Sequence, residues 1–123
     1  MTTRGIRGAI TIEIDQEETV LSSTSELLET VQALNPSLKV KDIISILFTI
    51  TDDIISAYPA LAARQMGWDS TPMLCVREMN VKDGLPLCIR VLIHWNTDLD
   101  QSAIQHVYLR EAIKLRPDLA SRA

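Results

Sequence analysis

The sequence predicts an α/β (α+β) domain, a mixed β-sheet with helices on one face. Three observations carry that expectation. A period-two apolar stripe opens the chain at Ile6, Gly8, Ile10, Ile12 and Ile14. A helical stripe follows at Val20, Leu21, Thr24, Leu27, Leu28, Val31 and Leu34. Strand and helix patterns then alternate in the order β, α, β, α, β, β, ending in a mixed tail. An uncovered face or edge in such a sheet is a reason to oligomerise.

The first stripe predicts a strand over Thr3–Ile14, with Arg7, Ala9, Thr11 and Glu13 on its other face. Gly5 and Gly8 flank Arg7 and allow close approach of a backbone or ligand. Asp15 is the expected N-cap of the first helix, with Glu18 in the capping-box position, and Pro36 closes that helix. Val40–Thr51 is a nearly continuous apolar run, read as a buried strand after a short helical turn at Val40–Asp42. Asp52 or Asp53 suits the cap of a following turn. Pro59 fits the first position of a second helix and Gly67 its stop. Met73–Met79 and Leu87–Trp95 are expected to form a hairpin around Asp83-Gly84. Asp98 or Asp100 is expected to cap a helical stretch that Pro117 ends.

With 123 residues, 46% of them hydrophobic and 23% charged, the chain fits one domain, 1–123, that buries a core without metal or disulfides. A net charge of −4 supplies no basic field, which argues against nucleic acid as a partner. Cys75 and Cys88 show no zinc-ligand spacing. Charge interrupts the N-terminal apolar residues too early for a signal peptide, and no apolar run approaches the ~18–20 residues of a membrane helix. A reducing, cytoplasmic setting is expected, with no membrane partner. No GxGxxG or P-loop is present, so no nucleotide cofactor is expected.

Arg90 stands among apolar neighbours in CIRVLIHW, where an arginine needs a partner. Glu78 is a candidate: in a hairpin whose paired residue numbers give an even sum, it shares a face with Arg90. The plainer account is an internal ion pair. Arg7 is a second strand arginine, whose plainer account is a solvated surface charge. Two arginines and a carboxylate around one cavity would instead suit a small anion bearing a hydroxyl. Tyr108 is either a donor to such an anion or a half-buried core tyrosine. Arg64 and Arg116 read as surface charges near helix ends, Cys75 as a small buried hydrophobe, and His94 and His106 as structural. No Ser/His/Asp or Cys/His constellation with a recognisable local motif is visible.

Four segments in order resemble the AroH-type chorismate mutases over nearly the whole chain: RGIRGA (4–9), YPALAAR with GW (58–68), CVREMNVKDGLPLCIRV (75–91) and HVYLREAIKLRPDL (106–119). The resemblance implies a homotrimer, a pseudo-α/β-barrel with active sites between subunits, that rearranges chorismate to prephenate without metal or cofactor. It implies that Arg7 binds a substrate carboxylate. Arg90 donates to the ether oxygen and a carboxylate, and Glu78, helped by Cys75, meets the ring hydroxyl. It further places Tyr108 on the side-chain carboxylate and Met73 and Leu74 on the walls. Tyr58 and Arg64 come from a neighbouring subunit, and Leu115 and Arg116 lie near the mouth. Two features depart from the family: Leu61 stands where many relatives carry lysine, and the chain is one residue shorter before Gly67. Cys75 and Glu78 have opposite parity, so a bend or bulge between them is expected if both reach one ligand. Two other functions use the same arginines: a non-catalytic trimeric domain binding a small anion, and a Rid-like imine deaminase with Glu78 as its acid–base group.

Overall fold

The computed structural model describes the backbone of residues 1–120 and side chains through residue 118. Residues 121–123 of the expected domain lie outside the described residues. The elements run β1 (Thr2–Thr11), α1 (Glu17–Leu34), β2 (Ile43–Ile50), α2 (Pro59–Gln65), β3 (Met73–Arg77), β4 (Cys88–Thr97), β5 (Val107–Leu109) and α3 (Pro117–Ala120). Short 3₁₀ turns precede β2 at Val40–Asp42 and flank β5 at Gln101–Ala103 and Arg110–Leu115. Among the described residues, the five strands form one mixed sheet in the order β3-β2-β4-β1-β5. None of the described helices is long and apolar enough to cross a membrane.

Strand alternation sorts the side chains into two faces. Ile6, Ile10, Phe48, Ile89, Val91, Ile93 and Trp95 point into a core completed by Val20, Leu27, Leu28 and Val31 of α1 and Ala63 of α2. Gly8 is small because helix and strand meet over it. An added Cβ would lie 3.0 Å from Val91 and 3.3 Å from Leu27. The opposite face carries a small second cluster of Ala9, Cys88, Tyr108 and Ala112 at one end. The two longer helices, α1 and α2, thus lie on one face, as the sequence implied. Pro59 opens α2, and Gly67 closes it at φ 92°, where a side chain would be strained.

Four local expectations are corrected. β1 ends at Thr11 and leaves Ile14 exposed, because Ile12 already turns its amide to Leu87 O at 2.9 Å. Asp15 does not cap α1, whose N-cap is Gln16. Its carboxylate instead accepts from the Ser56 hydroxyl at 2.6 Å and from the Ile55 and Ser56 amides, 40 residues along the chain. The Ser56 hydroxyl, with those amides, holds the Asp15 carboxyl below its ordinary value. Pro117 begins a helix rather than ending one, and the stretch before it is 3₁₀ turn, strand and 3₁₀ turn. The fourth correction fixes the site: β3 and β4 are not a hairpin. β2 lies between them, parallel to β3 and antiparallel to β4. β2 is apolar enough to be buried on both edges, so it takes an interior place that the adjacent turn alone would not predict.

Candidate active site

β4 is the middle strand, and its even-numbered residues face away from the helices. Arg90 pairs with Ala9 of β1 on one side and with Thr49 of β2 on the other. Glu78 follows the end of β3, and its amide continues the ladder to Ile50 O at 2.9 Å. Its side chain therefore reaches across β2 to Arg90. Nη1 of Arg90 donates to Oε1 of Glu78 at 3.1 Å, and Thr49 Oγ1 donates to the same oxygen at 2.6 Å. Arg90 and Glu78 do share a face, but through an intervening strand. Thr49 is the functional residue that the sequence reasoning missed. Its signal was parity: Ser45, Thr49 and Thr51 all fall on odd positions of an otherwise apolar run, which marks that strand's second face.

Arg90 and Glu78 are half-buried, with side-chain exposures of 33% and 24%. A guanidinium has five N–H donors, and the contact with Glu78 uses one of them. Arg7, opposite Leu92 on β1, shares their face. Among the described residues it has no ion-pair partner. Its own amide donates to His106 Nδ1 at 2.9 Å, which pins the segment before β5 beside it. Tyr108 follows on β5, opposite Ala9 and nearly buried. Arg7, Thr49, Glu78, Arg90 and Tyr108 line one cleft of about 430 Å³ with Leu47 and Leu92. A second cavity of about 460 Å³ shares Glu78 and Arg90 and extends past Asp53 and Cys88 to Leu115.

The other candidates lie elsewhere on the chain. Tyr58, Arg64, Met73, Leu74 and Cys75 line a separate cavity of about 420 Å³ beside α2. Tyr58 and Leu74 are largely exposed there. The expected bend between Cys75 and Glu78 does not occur: β3 pairs with β2 in unbroken register from Met73 to Arg77. Within one chain Cys75 therefore faces away from Glu78, as strict alternation requires. Arg116 is bound to Asp118 at 3.0 Å. His94 contacts Ser45 Oγ at 3.0 Å, consistent with a structural histidine.

Neither cysteine supplies a nucleophile. Burial pushes the Cys88 thiol up to about 11 and raises that of Cys75 as well, so both stay protonated at neutral pH. The cleft offers two guanidiniums, a carboxylate held by a hydroxyl and an arginine, and a phenol. Such a set can bind, orient and electrostatically stabilise a small anion, without a nucleophile–base pair.

That describes a small-anion enzyme of the non-covalent kind, and comparison with known proteins narrows it. The family model for chorismate mutase type I matches residues 3–119. Chorismate mutase AroH of Thermus thermophilus is 49% identical over 118 residues, covering 96% of this chain and 97% of that protein. Chorismate mutase AroH of Bacillus subtilis is 44% identical over 121 residues, covering 98% and 94%. A chorismate mutase structure from Clostridium thermocellum superposes with a TM-score of 0.85 at 45% identity, covering 88% of this chain and 96% of that one. The chain belongs to the type I chorismate mutase family, an isomerase family.

The Thr49 bridge can be tested alone. Thr49→Val removes one of the two donors that fix Glu78 and should lower stability by about 1–2 kcal/mol in urea unfolding. Turnover should fall by less than about tenfold, because Arg90 still holds the carboxylate. An unchanged unfolding midpoint together with unchanged kcat would contradict the bridge.

Proposed function

We propose that this chain converts chorismate to prephenate in the cleft around Arg90, with Arg7, Glu78 and Arg90 as its catalytic residues and Tyr108 as a further substrate-binding group. The observation that supports this most is the Thr49–Glu78–Arg90 cluster on the face the helices leave open.

The reaction is an intramolecular Claisen rearrangement. One carbon–oxygen bond breaks and one carbon–carbon bond forms in the same molecule, with no obligatory proton transfer. Two tasks remain for the protein. It must hold a flexible dianion in its compact reactive shape, a positioning effect. Arg7 and Tyr108 suit that role because a guanidinium fork and a phenol both donate to carboxylates. It must also stabilise the negative charge that gathers on the ether oxygen as the bond lengthens. A preorganised Arg90 acts more strongly there in the transition state than in the ground state. Glu78 fixes the guanidinium and offers an acceptor to the ring hydroxyl.

A homotrimer with composite sites completes the assignment. Tyr58, Arg64, Met73, Leu74 and Cys75 cannot reach Arg90 within one chain, because they line a different cavity. A neighbouring copy that brings this second cavity against the open sheet face would reunite all the candidates, Cys75 with Glu78 included. Leu115 already flanks the Arg90 cavity, and Arg116 follows it in the chain. Leu61, partly buried on α2, adds no positive charge at that junction, which weakens substrate attraction more than the chemistry. The chain acts as one domain in a reducing, cytoplasmic setting, consistent with two free thiols among the described residues. The proposed mechanism uses no metal or cofactor.

Loss of chorismate absorbance in the ultraviolet, with acid conversion of the product to phenylpyruvate, tests the activity. Wild type should turn over, and Arg90→Ala should lose roughly two to three decades in kcat. Saturable binding of chorismate by a folded wild type that forms no prephenate would leave only an anion-binding module. Subunit mixing tests the trimer. Arg64→Ala and Arg90→Ala, each nearly inactive, should regain activity when refolded together, because some interfaces then combine two intact halves. No recovery in mixed trimers would place each site within one subunit.

A further inference from the structure

The segment entering β4 holds a residue in a strained conformation. Leu87 has φ 48°, in the left-handed region that a branched side chain disfavours. It stands immediately before β4 and three residues before Arg90. Its amide donates to both carboxylate oxygens of Asp53, at 3.0 and 3.2 Å. Asp53 also accepts from the Thr51 hydroxyl, and Thr51 Oγ1 in turn accepts from the Cys88 amide at 3.0 Å. Two successive amides at the start of β4 are thus held by one carboxylate–hydroxyl relay just beyond the end of β2. The matching carbonyls are also bound: Leu87 O by the Ile12 amide at 2.9 Å and Cys88 O by the Thr51 amide at 3.2 Å.

We propose that Asp53 is a positioning residue for Arg90, because its carboxylate holds Leu87 in the left-handed conformation that sets where β4 begins. This rests on the assignment of Arg90 to the active site. The register that follows places Ile89 against Ile50 and Arg90 against Thr49, within reach of Glu78. Without the relay, Leu87 relaxes toward negative φ, and the first residues of β4 shift or fray. Arg90 then keeps its charge but loses its aim. Asp53 lines the same cavity as Arg90. A bare carboxylate there would repel an anionic substrate. A bifurcated bond from the Leu87 N–H and a second from the Thr51 hydroxyl engage both of its oxygens and give it a structural task instead.

The relay and the strain make opposite predictions under substitution. Asp53→Ala should lower kcat about tenfold to a hundredfold, with KM for chorismate changed less than about threefold, as expected for misplacement of a catalytic group. Asp53→Asn keeps an acceptor for the Leu87 amide and should retain most of kcat. Leu87→Gly adopts the left-handed conformation without strain, so in the Asp53→Ala background it should recover most of the lost kcat. In an Arg90→Ala background, Asp53→Ala should cost little more, because the group it aims is gone. All assays are run well below the unfolding temperature of each variant.

Three results would overturn the proposal: near-wild-type kcat in folded Asp53→Ala, a loss confined to KM, or no recovery with Leu87→Gly. If Asp53→Ala does not fold, Asp53→Ser takes its place, with a hydroxyl too short to span to Leu87. An unchanged kcat there overturns the proposal equally. Fast turnover by Arg90→Ala alone would bring down the site assignment and this proposal together. An inactive Arg90→Ala beside a fully active Asp53→Ala would bring down only the role of Asp53.

Discussion

The burial of β4 between two antiparallel neighbours is the constraint on which the site depends. Ten consecutive residues pair with β1 from Thr2↔Thr97 to Thr11↔Cys88, and β2 covers the other edge. A strand fixed on both edges cannot slip by one residue without turning its whole apolar set outward. Ile89, Val91, Ile93 and Trp95 are buried against the helices, so Arg90 must stand on the opposite face. The core therefore aims the arginine. The same logic on β1 sends Ile6, Gly8 and Ile10 under α1 and leaves Arg7 facing the cleft.

A fixed guanidinium suits a reaction that asks the protein for no bond of its own. In the proposed site Arg90 is ordered before substrate arrives, because Glu78, itself held by Thr49, already binds it, and such preorganisation avoids reorientation during the reaction. Glu78 is itself doubly held, which keeps a half-buried carboxylate from being an unpaired charge. The cluster thus satisfies the electrostatics of a lone chain while leaving most of the guanidinium donors uncommitted. In the proposed trimer, the open sheet face and the distant Tyr58–Arg64–Cys75 cavity are two halves of one site, which assembly of copies joins.

What the sequence revealed and what it hid follow from how local each signal is. Pro36, Pro59 and Gly67 act on their own dihedral angles, and the helix boundaries they mark agree with the structure. The apolar alternation of 6–10 and 89–95 is also local, so the faces carrying Arg7 and Arg90 were legible. The order of strands is not local. Asp83-Gly84 is a valid turn signal, yet the strands it joins are separated by β2, because the core decides which strand is central. Asp15 shows the same limit: a capping box and a long-range acceptor for Ile55 and Ser56 look alike in one dimension. Thr49 was overlooked because a threonine in a β-branched run looks like strand propensity. The opposite parity of Cys75 and Glu78 was read correctly, but its resolution by a bend was not, since the strand is regular. The left-handed Leu87 had no signal at all, because nothing about a leucine announces positive φ.

The central claim is that the geometry of the Arg90 guanidinium, and not only its charge, stabilises the breaking bond. The most direct measurement is the steady-state kinetics of Arg90→Lys with chorismate, in protein shown to be folded. Lysine keeps the positive charge but loses the planar fork that Glu78 aims. A kcat lower by about two decades, with KM raised less than about tenfold, is the result this account requires. A kcat within a few-fold of wild type would show that a point charge suffices, and the ordering of Arg90 by Glu78 and Thr49 would then have no part in catalysis.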